Sequence, residues 1–407
     1  MLWPQLQISG RKSGLNCDES HFIKNFKTKR YKCAAPLMKK AKRAMLLTGT
    51  PALSRPGELY CQIDCLMPKL FAKFLDFAFR YCDAKQTKWG HDTSGASNTD
   101  ELRLLLEETI MIRRVKSAVA CQLPLKTRDM IILDKSSVQT NLKALRQAAA
   151  QVTQQAAKDK SHQALLQFYA ETAHAKLDAV RQYVLDLLEG GRKMLIFAHH
   201  TVMLDALSDA LQDKQHNFIR IDGQTAPDAR KRFCDRFQAE PDVRVALLSI
   251  TAANMGITLT AASLVLFAEL FWNPGALVQA EDRVHRVGQT DPVQIQYLVA
   301  RGTADDYLWP LVQNKLKILT QVGLSGENFE GAGTTLIPFR EEPETESQTK
   351  QRTMMDFFDA LNESKEEEAV TDDNTDVLLC QSDQEESGPA RKRQRMDLSD
   401  FVHEESD

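Results

Sequence analysis

The sequence predicts an α/β protein in which a doubly wound parallel sheet follows a helical segment and precedes an acidic tail. The main observation is a series of five short apolar runs, separated by helical patterns, within residues 193–300. Near-continuous apolar strands that alternate with helices are typical of a parallel sheet covered on both faces. We therefore expect a complete doubly wound domain over residues 193–325, with its ligand edge at the carboxyl ends of the strands.

The predicted strands are bounded by small or polar residues. They are KMLIFAHH (193–200), NFIRIDG (217–223), VRVALLSI (243–250), LVLFAEL (264–270) and VQIQYLVA (293–300). Upstream, residues 136–192 contain no proline and are rich in Ala, Gln, Leu and Lys, which predicts helices that bridge two lobes. Residues 15–135 alternate helical patterns with one short strand, AMLLTGTP (44–51), which indicates a second α/β region.

The charges of the chain are segregated. Residues 341–407 carry 21 acidic and 7 basic side chains, a net charge of −14, so residues 1–340 carry +11 within the overall net charge of −3. A basic body favours a polyanionic partner, and an acidic, aromatic-poor tail over residues 326–407 favours disorder. The alternative for the body is a solvated charged surface that binds no partner.

Composition narrows the class of protein further. The chain is 43% hydrophobic and 26% charged, and no apolar run approaches the roughly 20 residues of a membrane helix. Residues 1–14 lack the continuous apolar core of a secretory signal. The eight cysteines form no C-x-x-C pair, so the sequence contains neither a readable zinc module nor a disulfide framework.

Two motifs contain residue types suited to nucleotide chemistry. DESH (18–21) has the form of a Walker B motif, in which Asp18 would hold the Mg²⁺ of a nucleotide and Glu19 would activate the attacking water. In QAEDRVHRVGQ (279–289), Arg283 and Arg286 are three residues apart, so on a helix they project from the same side. Two such guanidinium groups suit a γ-phosphate presented by another lobe, whereas a solvated charged face is the alternative.

A third motif is weaker. SITAANMGITLTAAS (249–263) directly follows a predicted strand, and its small residues with Gly256 allow backbone amides to approach a phosphate or a ribose. A small-residue turn of this kind is more often a matter of tight packing alone.

Six segments together resemble the Swi/Snf-type ATP-dependent DNA translocases, in the order and approximate spacing of that family's motifs II, III, V and VI. They are DESH (18–21), LLTGTPALSRPGELYCQI (46–63), IMIRRVKS (110–117), LLSITAANMGITLT (247–260), FAELFWNPG (267–275) and QAEDRVHRVGQ (279–289). Further segments resemble the HepA-related annealing-helicase branch, with the zinc-finger Ran-binding-domain annealing helicases as the alternative. These include RYCDAKQTKWG (80–90), IFAHH (196–200) and GTADDYLWPLVQ (302–313).

The resemblance implies two RecA-like helicase lobes, an ATP-binding lobe over residues 15–135 and a C-terminal lobe over residues 193–325. It also implies ATP and Mg²⁺ as cofactors and an activity that rewinds separated DNA strands and remodels stalled replication forks. The residues that would contact the nucleotide are Asp18, Glu19, Gly256, Arg283 and Arg286. Those that would contact DNA or couple it to the nucleotide state are Thr48, Gly49, Thr50, Ser249, Thr251 and Thr258.

The phosphate loop that this family requires is not found. No G-x-x-x-x-G-K-[ST] occurs in the chain, and SGRKSG (9–14) lacks that spacing. Residues 1–14 resemble nothing in the family, and the strand that should precede Asp18 is missing as well. We therefore expect an amino-terminally truncated first lobe with a long unpaired sheet edge and an uncovered apolar face, and a chain that binds ATP poorly.

The acidic tail carries two short motifs. QRTMMDFF (351–358) has the Q-x-x-[ILM]-x-x-F-F arrangement of a box that binds the sliding clamp, proliferating-cell nuclear antigen, although a helix packed on its own domain is the alternative. Its key residues are Gln351, Met354, Phe357 and Phe358. A basic cluster in GPARKRQRMD (388–397) predicts nuclear import, with a DNA-contacting patch as the alternative. Its members are Arg391, Lys392, Arg393 and Arg395.

Two functions of different classes remain open on the sequence. The first is a nuclear, DNA-dependent ATPase of the annealing-helicase type, which the six ordered motifs favour. The second is a non-catalytic protein that binds DNA and the sliding clamp, which the absent phosphate loop favours for this polypeptide. The resemblance further implies replication protein A as a partner of full-length members, although no segment of this sequence is recognisable as its binding site.

Overall fold

The computed structural model describes residues 6–9, 14–87, 90–114, 123–134, 136–140, 142–155, 161–251, 256–324 and 333–336. All of them fall within one compact unit, Met1–Ser364, which contains a smaller amino-terminal lobe and a larger lobe. The sliding-clamp box and the basic cluster of the tail lie outside the described residues. No described helix has both the length and the apolar character needed to cross a membrane.

The smaller lobe combines a three-stranded sheet with helices and a hairpin. In the sheet, β1 (Leu6–Ser9) is antiparallel to β2 (Gly14–Cys17), and β2 is parallel to β3 (Arg43–Leu46). The helices are α1 (Lys29–Lys40), α2 (Tyr60–Leu66), α3 (Phe74–Tyr81) and α4 (Thr99–Thr109). The hairpin consists of β4 (Lys85–Thr87) and β5 (Gly90–Asp92).

The structure corrects the prediction that no strand precedes Asp18. β2 has only four residues, but Leu15 and Cys17 are buried in a small core with Ala34, Ala35 and Met38 of α1. Successive side chains of a strand point to opposite faces of the sheet, so one face of β2 packs on α1. Among the described strands β3 pairs only with β2, which leaves one edge unpaired, and Met45 and Leu47 are 54% and 44% exposed, as on an uncovered apolar face.

The larger lobe is built on a sheet of seven strands, all parallel, which confirms the predicted fold class. The strands are β6 (Lys126–Ile132), β7 (Met194–Ala198), β8 (Asn217–Ile221), β9 (Val243–Ser249), β10 (Leu264–Phe267), β11 (Val293–Val299) and β12 (Gly333–Leu336). Their spatial order is β12-β6-β11-β10-β7-β9-β8. The helices are α5 (Lys143–Gln155), α6 (Ser161–Glu189), α7 (Thr201–Asp213), α8 (Pro227–Ala239), α9 (Pro274–Glu281) and α10 (Asp305–Gln321).

The strand order reverses between β7 and β10. From β7 the chain continues to β8 and β9 on one side, and from β10 it continues to β11 on the other side. In open α/β sheets, ligands bind in the crevice outside the carboxyl ends of the strands at such a reversal.

Two strands of this sheet lie outside the predicted second lobe. β6 pairs with β11 although it falls within residues 15–135, and β12 pairs with β6 although it falls within the predicted tail. Sequence reasoning missed β6 because Lys126 and Arg128 interrupt its apolar pattern. Both side chains contact the buried carboxylate of Glu281, so they are basic residues in the interior rather than at a solvated face.

The predicted helices between the lobes are present, but they pack on the larger lobe. The Tyr169 hydroxyl of α6 donates to the Leu270 carbonyl over 2.6 Å, and the buried Lys176 ammonium contacts the Asp305 carboxylate over 2.7 Å. One contact between the lobes lies instead at the carboxyl end of α10. There Leu319 and Val322 share a core with α3 and α4 residues of the smaller lobe.

Candidate functional site

The DESH motif lies directly after β2, at the carboxyl edge of the smaller sheet. The Asp18 side chain is exposed, and its Oδ1 accepts a hydrogen bond from the Glu19 amide over 2.9 Å. Glu19 has a φ of 49°, a left-handed conformation that is uncommon for non-glycine residues and clusters at functional sites. Burial and the Asp18 charge raise the pKa of Glu19, and the positive charge of Arg283 partly opposes this rise.

Motif II is linked to motif III by a buried histidine. His21 Nδ1 lies 2.8 Å from the Thr48 hydroxyl, which in turn accepts from the Thr50 amide over 3.1 Å. Burial, with the nearby Lys24 charge, lowers the pKa of His21 to about 3, so the imidazole is neutral at ordinary pH. Its 3.3 Å approach to Glu19 is therefore a polar contact and not an ion pair.

Motif III also contacts the larger lobe. The Gln279 side-chain amide of α9 donates to the Thr50 hydroxyl over 2.6 Å, and the Gly275 amide donates to the Leu53 carbonyl over 3.0 Å. The buried Glu58 carboxylate accepts from the Leu53 amide over 2.6 Å, which fixes the conformation of this loop. Sequence reasoning missed Gln279 as a contact residue, although it is the first residue of the quoted motif VI segment.

Motif VI differs from its predicted form. α9 ends at Glu281, so Arg283 and Arg286 lie in the turns that follow and do not share a helical face. Arg283 is 8% exposed and its Nε has no hydrogen-bond partner among the described residues. Arg286 is exposed, and its Nη1 donates to the Thr258 hydroxyl of motif V over 3.0 Å.

Glu281, the last residue of α9, is buried against the sheet. Arg128 donates to both carboxylate oxygens, over 2.8 and 2.5 Å, and the Tyr297 hydroxyl donates over 2.7 Å. Burial alone would raise the pKa of Glu281, but the charges of Arg128 and Lys126 outweigh it and the pKa is lowered. Glu281 thereby fixes the turn that carries both motif VI arginines.

The electrostatics of Arg283 suit an anionic ligand. Burial and the like charge of Arg286 lower the pKa of Arg283, which means that its charged form is destabilised in the site. A buried guanidinium with an unsatisfied donor gains free energy when an anion binds to it. Among the described residues, the acidic groups that raise its pKa are Glu19 of the other lobe and its neighbour Asp282.

Motif V forms the remaining edge of the site. Ser249 Oγ, at the end of β9, lies 2.8 Å from Thr251 Oγ1. Gly256 has a φ of 69°, a left-handed conformation that favours glycine, and residues 252–255 lie outside the described ranges. The Thr258 hydroxyl accepts a hydrogen bond from Arg286, so motifs V and VI are in contact.

The structure adds a polar pair that the sequence did not reveal as such. Glu269, after β10, accepts from the His199 and His200 amides over 2.8 and 2.9 Å and contacts His200 Nδ1 at 2.5 Å. Burial alone would raise the pKa of Glu269, but the hydrogen bond and charge of His200 lower it. The pair lies at the strand-order reversal, so it is a further candidate for ligand contact.

Comparison with known protein families agrees with this architecture. The model of the SNF2-related domain matches residues 8–177, and that of the helicase conserved C-terminal domain matches residues 175–288. The chain belongs to the SNF2-related helicase family. The first match begins inside residues 1–14, which the sequence had set apart as unrelated, and the two matches meet within α6.

Relatives in this family are longer than the present chain. A Xenopus laevis protein named SWI/SNF-related matrix-associated actin-dependent regulator of chromatin subfamily A-like protein 1 is 49% identical over 406 residues. The match covers 96% of this chain and 41% of that protein. The human DNA annealing helicase and endonuclease ZRANB3 is 39% identical over 365 residues, covering 86% of this chain and 32% of that protein. The frog relative belongs to the branch that the sequence predicted, and the human relative belongs to the branch given as the alternative.

A solved structure is also similar. The crystal structure of the C-terminal part of the Fun30 ATPase domain matches with a TM-score of 0.33 and 18% identity, covering 65% of this chain and 92% of that one.

Proposed function

We propose that this chain carries the motor elements of a DNA-dependent ATPase that moves along DNA and reanneals separated strands. The observation that carries the proposal is the buried guanidinium of Arg283. Arg283 belongs to the larger lobe, and its Nε has no hydrogen-bond partner among the described residues. Its positive charge opposes the rise in the pKa of Glu19 in the smaller lobe. An arginine that faces the carboxylates of another lobe is the arrangement that arginine fingers use.

The residues of this site fit a nucleotide with Mg²⁺. Asp18 offers an exposed carboxylate as a Mg²⁺ ligand, and Glu19, with its raised pKa, suits a proton acceptor for an attacking water. Arg283 and Arg286 would bind the terminal phosphate, and the backbone at Gly256 would approach the nucleotide. Bound ATP with Mg²⁺ would supply the phosphoanhydride and the divalent charge.

The polar contacts between the lobes suit a coupling role. Thr48 and Thr50 connect His21 of motif II to Gln279 of α9, while Thr258 connects Arg286 to motif V. We assign Thr48, Gly49, Thr50, Ser249, Thr251 and Thr258 to DNA contact or to its coupling with the nucleotide. Contacts of hydroxyls and backbone amides with phosphates position a motor without reading sequence.

The wider biological setting rests on the family. The name of the human relative describes DNA annealing, and that of the frog relative describes regulation of chromatin. We propose for this chain a nuclear role in DNA repair at stalled replication forks, with the sliding clamp bound through residues 351–358. Replication protein A is the expected third partner of the longer proteins.

DNA-stimulated phosphate release tests the proposed chemistry. The chain is fused to the segment that precedes the matched region in the frog relative and is assayed with fork DNA. Arg286→Ala should reduce turnover by roughly 10³-fold, as for other arginine fingers. Arg244→Ala, which removes an exposed arginine of β9, is the matched control and should leave turnover unchanged. Equal turnover of the two variants would remove Arg286 from the catalytic assignment.

A second candidate function is a DNA- and clamp-binding protein that does not hydrolyse ATP. It is favoured by one observation, the absence of G-x-x-x-x-G-K-[ST] from the 407-residue sequence. A triphosphate needs a cradle of backbone amides and a lysine before a Mg²⁺ ligand can act on it. This candidate predicts that the unfused chain releases no more phosphate than its Asp18→Ala variant. Turnover clearly above that variant would eliminate it.

A further inference from the structure

One stretch of the smaller lobe has an unusual charge that the nucleotide site does not use. From Ser20 to Gly57 the sequence contains ten lysines and arginines and no aspartate or glutamate in 38 residues. Most of these residues lie on α1 and its two flanks, between the DESH motif and motif III. The stretch therefore concentrates positive charge on one element of the lobe.

The helix itself separates into a buried and a basic face. Ala34, Ala35 and Met38 are buried against β2, whereas Lys29, Lys32 and Lys40 are exposed. Together with the flanks they form what we call the α1 surface. Its members are exposed and have no hydrogen-bond or ion-pair partner for their side chains among the described residues: Lys27, Lys29, Lys32, Lys40, Lys42 and Arg43.

Two other basic residues of α1 make contacts within the smaller lobe. Lys39 contacts the Asp64 carboxylate over 2.6 Å, and the Arg30 guanidinium lies 5.4 Å from the centre of the Phe22 ring. These two side chains have a local role, and the α1 surface does not include them.

The basic residues at the amino end of α1 work against helix stability. Lys29 and Arg30 occupy the first turn, where positive charge opposes the helix dipole by about 0.3–1 kcal/mol per residue. Lys29 and Lys32 are three residues apart, a spacing at which like charges repel. The amino terminus is held instead by Thr28, whose hydroxyl accepts from the Tyr31 amide over 3.3 Å. Since folding does not explain Lys29 and Lys32, a bound polyanion is the simpler explanation.

The α1 surface is separate from the nucleotide site. Asp18 follows the carboxyl end of β2, whereas α1 ends just before the amino end of β3, which is parallel to β2. Lys40, Lys42 and Arg43 therefore lie at the edge of the smaller sheet opposite to the DESH motif. A ligand at this edge would bind without contacting the nucleotide residues.

We propose that the α1 surface binds the phosphodiester backbone of double-stranded DNA, as a second contact of the protein for which DNA is already the proposed substrate. Lys29 and Lys40 are separated by roughly 17 Å along the helix, the rise of about five base pairs. Single-strand binders stack bases on exposed aromatic rings. The one aromatic residue of α1, Tyr31, is partly buried and its hydroxyl donates to Asp64, so the surface favours a duplex.

The salt dependence of duplex binding, measured without nucleotide, tests this proposal. The full chain is titrated onto a short blunt duplex by fluorescence anisotropy at several salt concentrations. The test variant replaces Lys29, Lys32 and Lys40 by Gln, and the control replaces the equally exposed Lys143, Lys214 and Lys231 of the larger lobe. Each lost phosphate contact lowers the slope of log K against log salt by about 0.9. We expect the test variant to lose about 2.7 and the control less than 1.

Three results would overturn the proposal. Equal slopes for the two triple variants would show that α1 does not contact DNA, and would leave the ATPase proposal standing. If the chain bound single strands more tightly than duplex, and the test variant lost this binding, the surface would be assigned to single-stranded DNA. An unchanged slope, together with carbodiimide cross-links from these lysines to carboxylates of residues 341–407, would assign it to the acidic tail of the chain. Thermal unfolding of both variants checks that the exposed substitutions leave the fold intact.

Discussion

The contact between Gly275 and Leu53 makes a testable prediction about how the two lobes are held together. A Cβ atom at Gly275 would lie 2.7 Å from Leu53 Cδ2 and 2.8 Å from Leu53 Cα. The side-chain carbon can move, but the Cα belongs to the motif III loop, which Glu58 fixes through the Leu53 amide. Gly275→Ala must therefore separate the loop from α9.

The size of the effect follows from three terms. Overpacking costs typically 1–3 kcal/mol, and loss of the hydrogen bond from the Gly275 amide to the Leu53 carbonyl costs about 1 kcal/mol more. Against this, alanine in a helix is favoured over glycine by about 1 kcal/mol. We expect a net loss of about 1–3 kcal/mol, or roughly 2–10 °C in the melting temperature of a domain of this size.

Chemical and thermal unfolding of the purified chain measure this loss. Gly223→Ala is the matched control, because a Cβ atom at Gly223 meets nothing within 4 Å. The control should be neutral or slightly stabilising. If Gly275→Ala were as stable as that control, the close approach of α9 to motif III would not exist in solution.

Two further predictions concern the buried carboxylate and the tail. Glu281→Gln should cost roughly 3–5 kcal/mol, because it leaves Arg128 and Lys126 without their buried counter-charge. Since the pKa of Glu281 is lowered by folding, its contribution is present above the unfolded pKa and is lost as pH falls through the folded one, so denaturation curves of wild type and variant should converge in acid. A peptide spanning 348–361 should bind the sliding clamp at roughly micromolar affinity in calorimetry. Phe357→Ala with Phe358→Ala should abolish binding, and the absence of saturable heat from the unaltered peptide would reject the clamp box.

The sequence was most informative where strands are apolar throughout. Each of the five predicted runs contains one strand of the larger sheet, because residues such as Leu195 and Val265 are buried on a sheet covered by helices. The sequence was least informative where a charged side chain of a strand points into the interior of the protein. β6 appears polar because Arg128 neutralises Glu281, a residue 153 positions away that no local pattern connects to it.

The site was predicted in its composition but not in its geometry. Spacing identified Arg283 and Arg286 as candidate site residues. A helical period could not predict that α9 ends at Glu281, two residues before Arg283. The pairing of Glu269 with His200 joins two strand ends that are neighbours only because the strand order reverses there. Such contacts depend on topology, which local sequence patterns do not contain.

The central claim is that carboxylates of the smaller lobe and arginines of the larger lobe face one site, and titration of Glu19 by carboxyl-carbon NMR tests it most directly. In the wild-type chain, burial and Asp18 raise the pKa of Glu19 while Arg283 opposes the rise. Arg283→Gln removes a guanidinium whose Nε makes no hydrogen bond within the described structure, so the fold should persist. We predict a further rise in the pKa of Glu19 in this variant and none in Arg244→Gln. An unchanged pKa of Glu19 in Arg283→Gln would contradict the shared site.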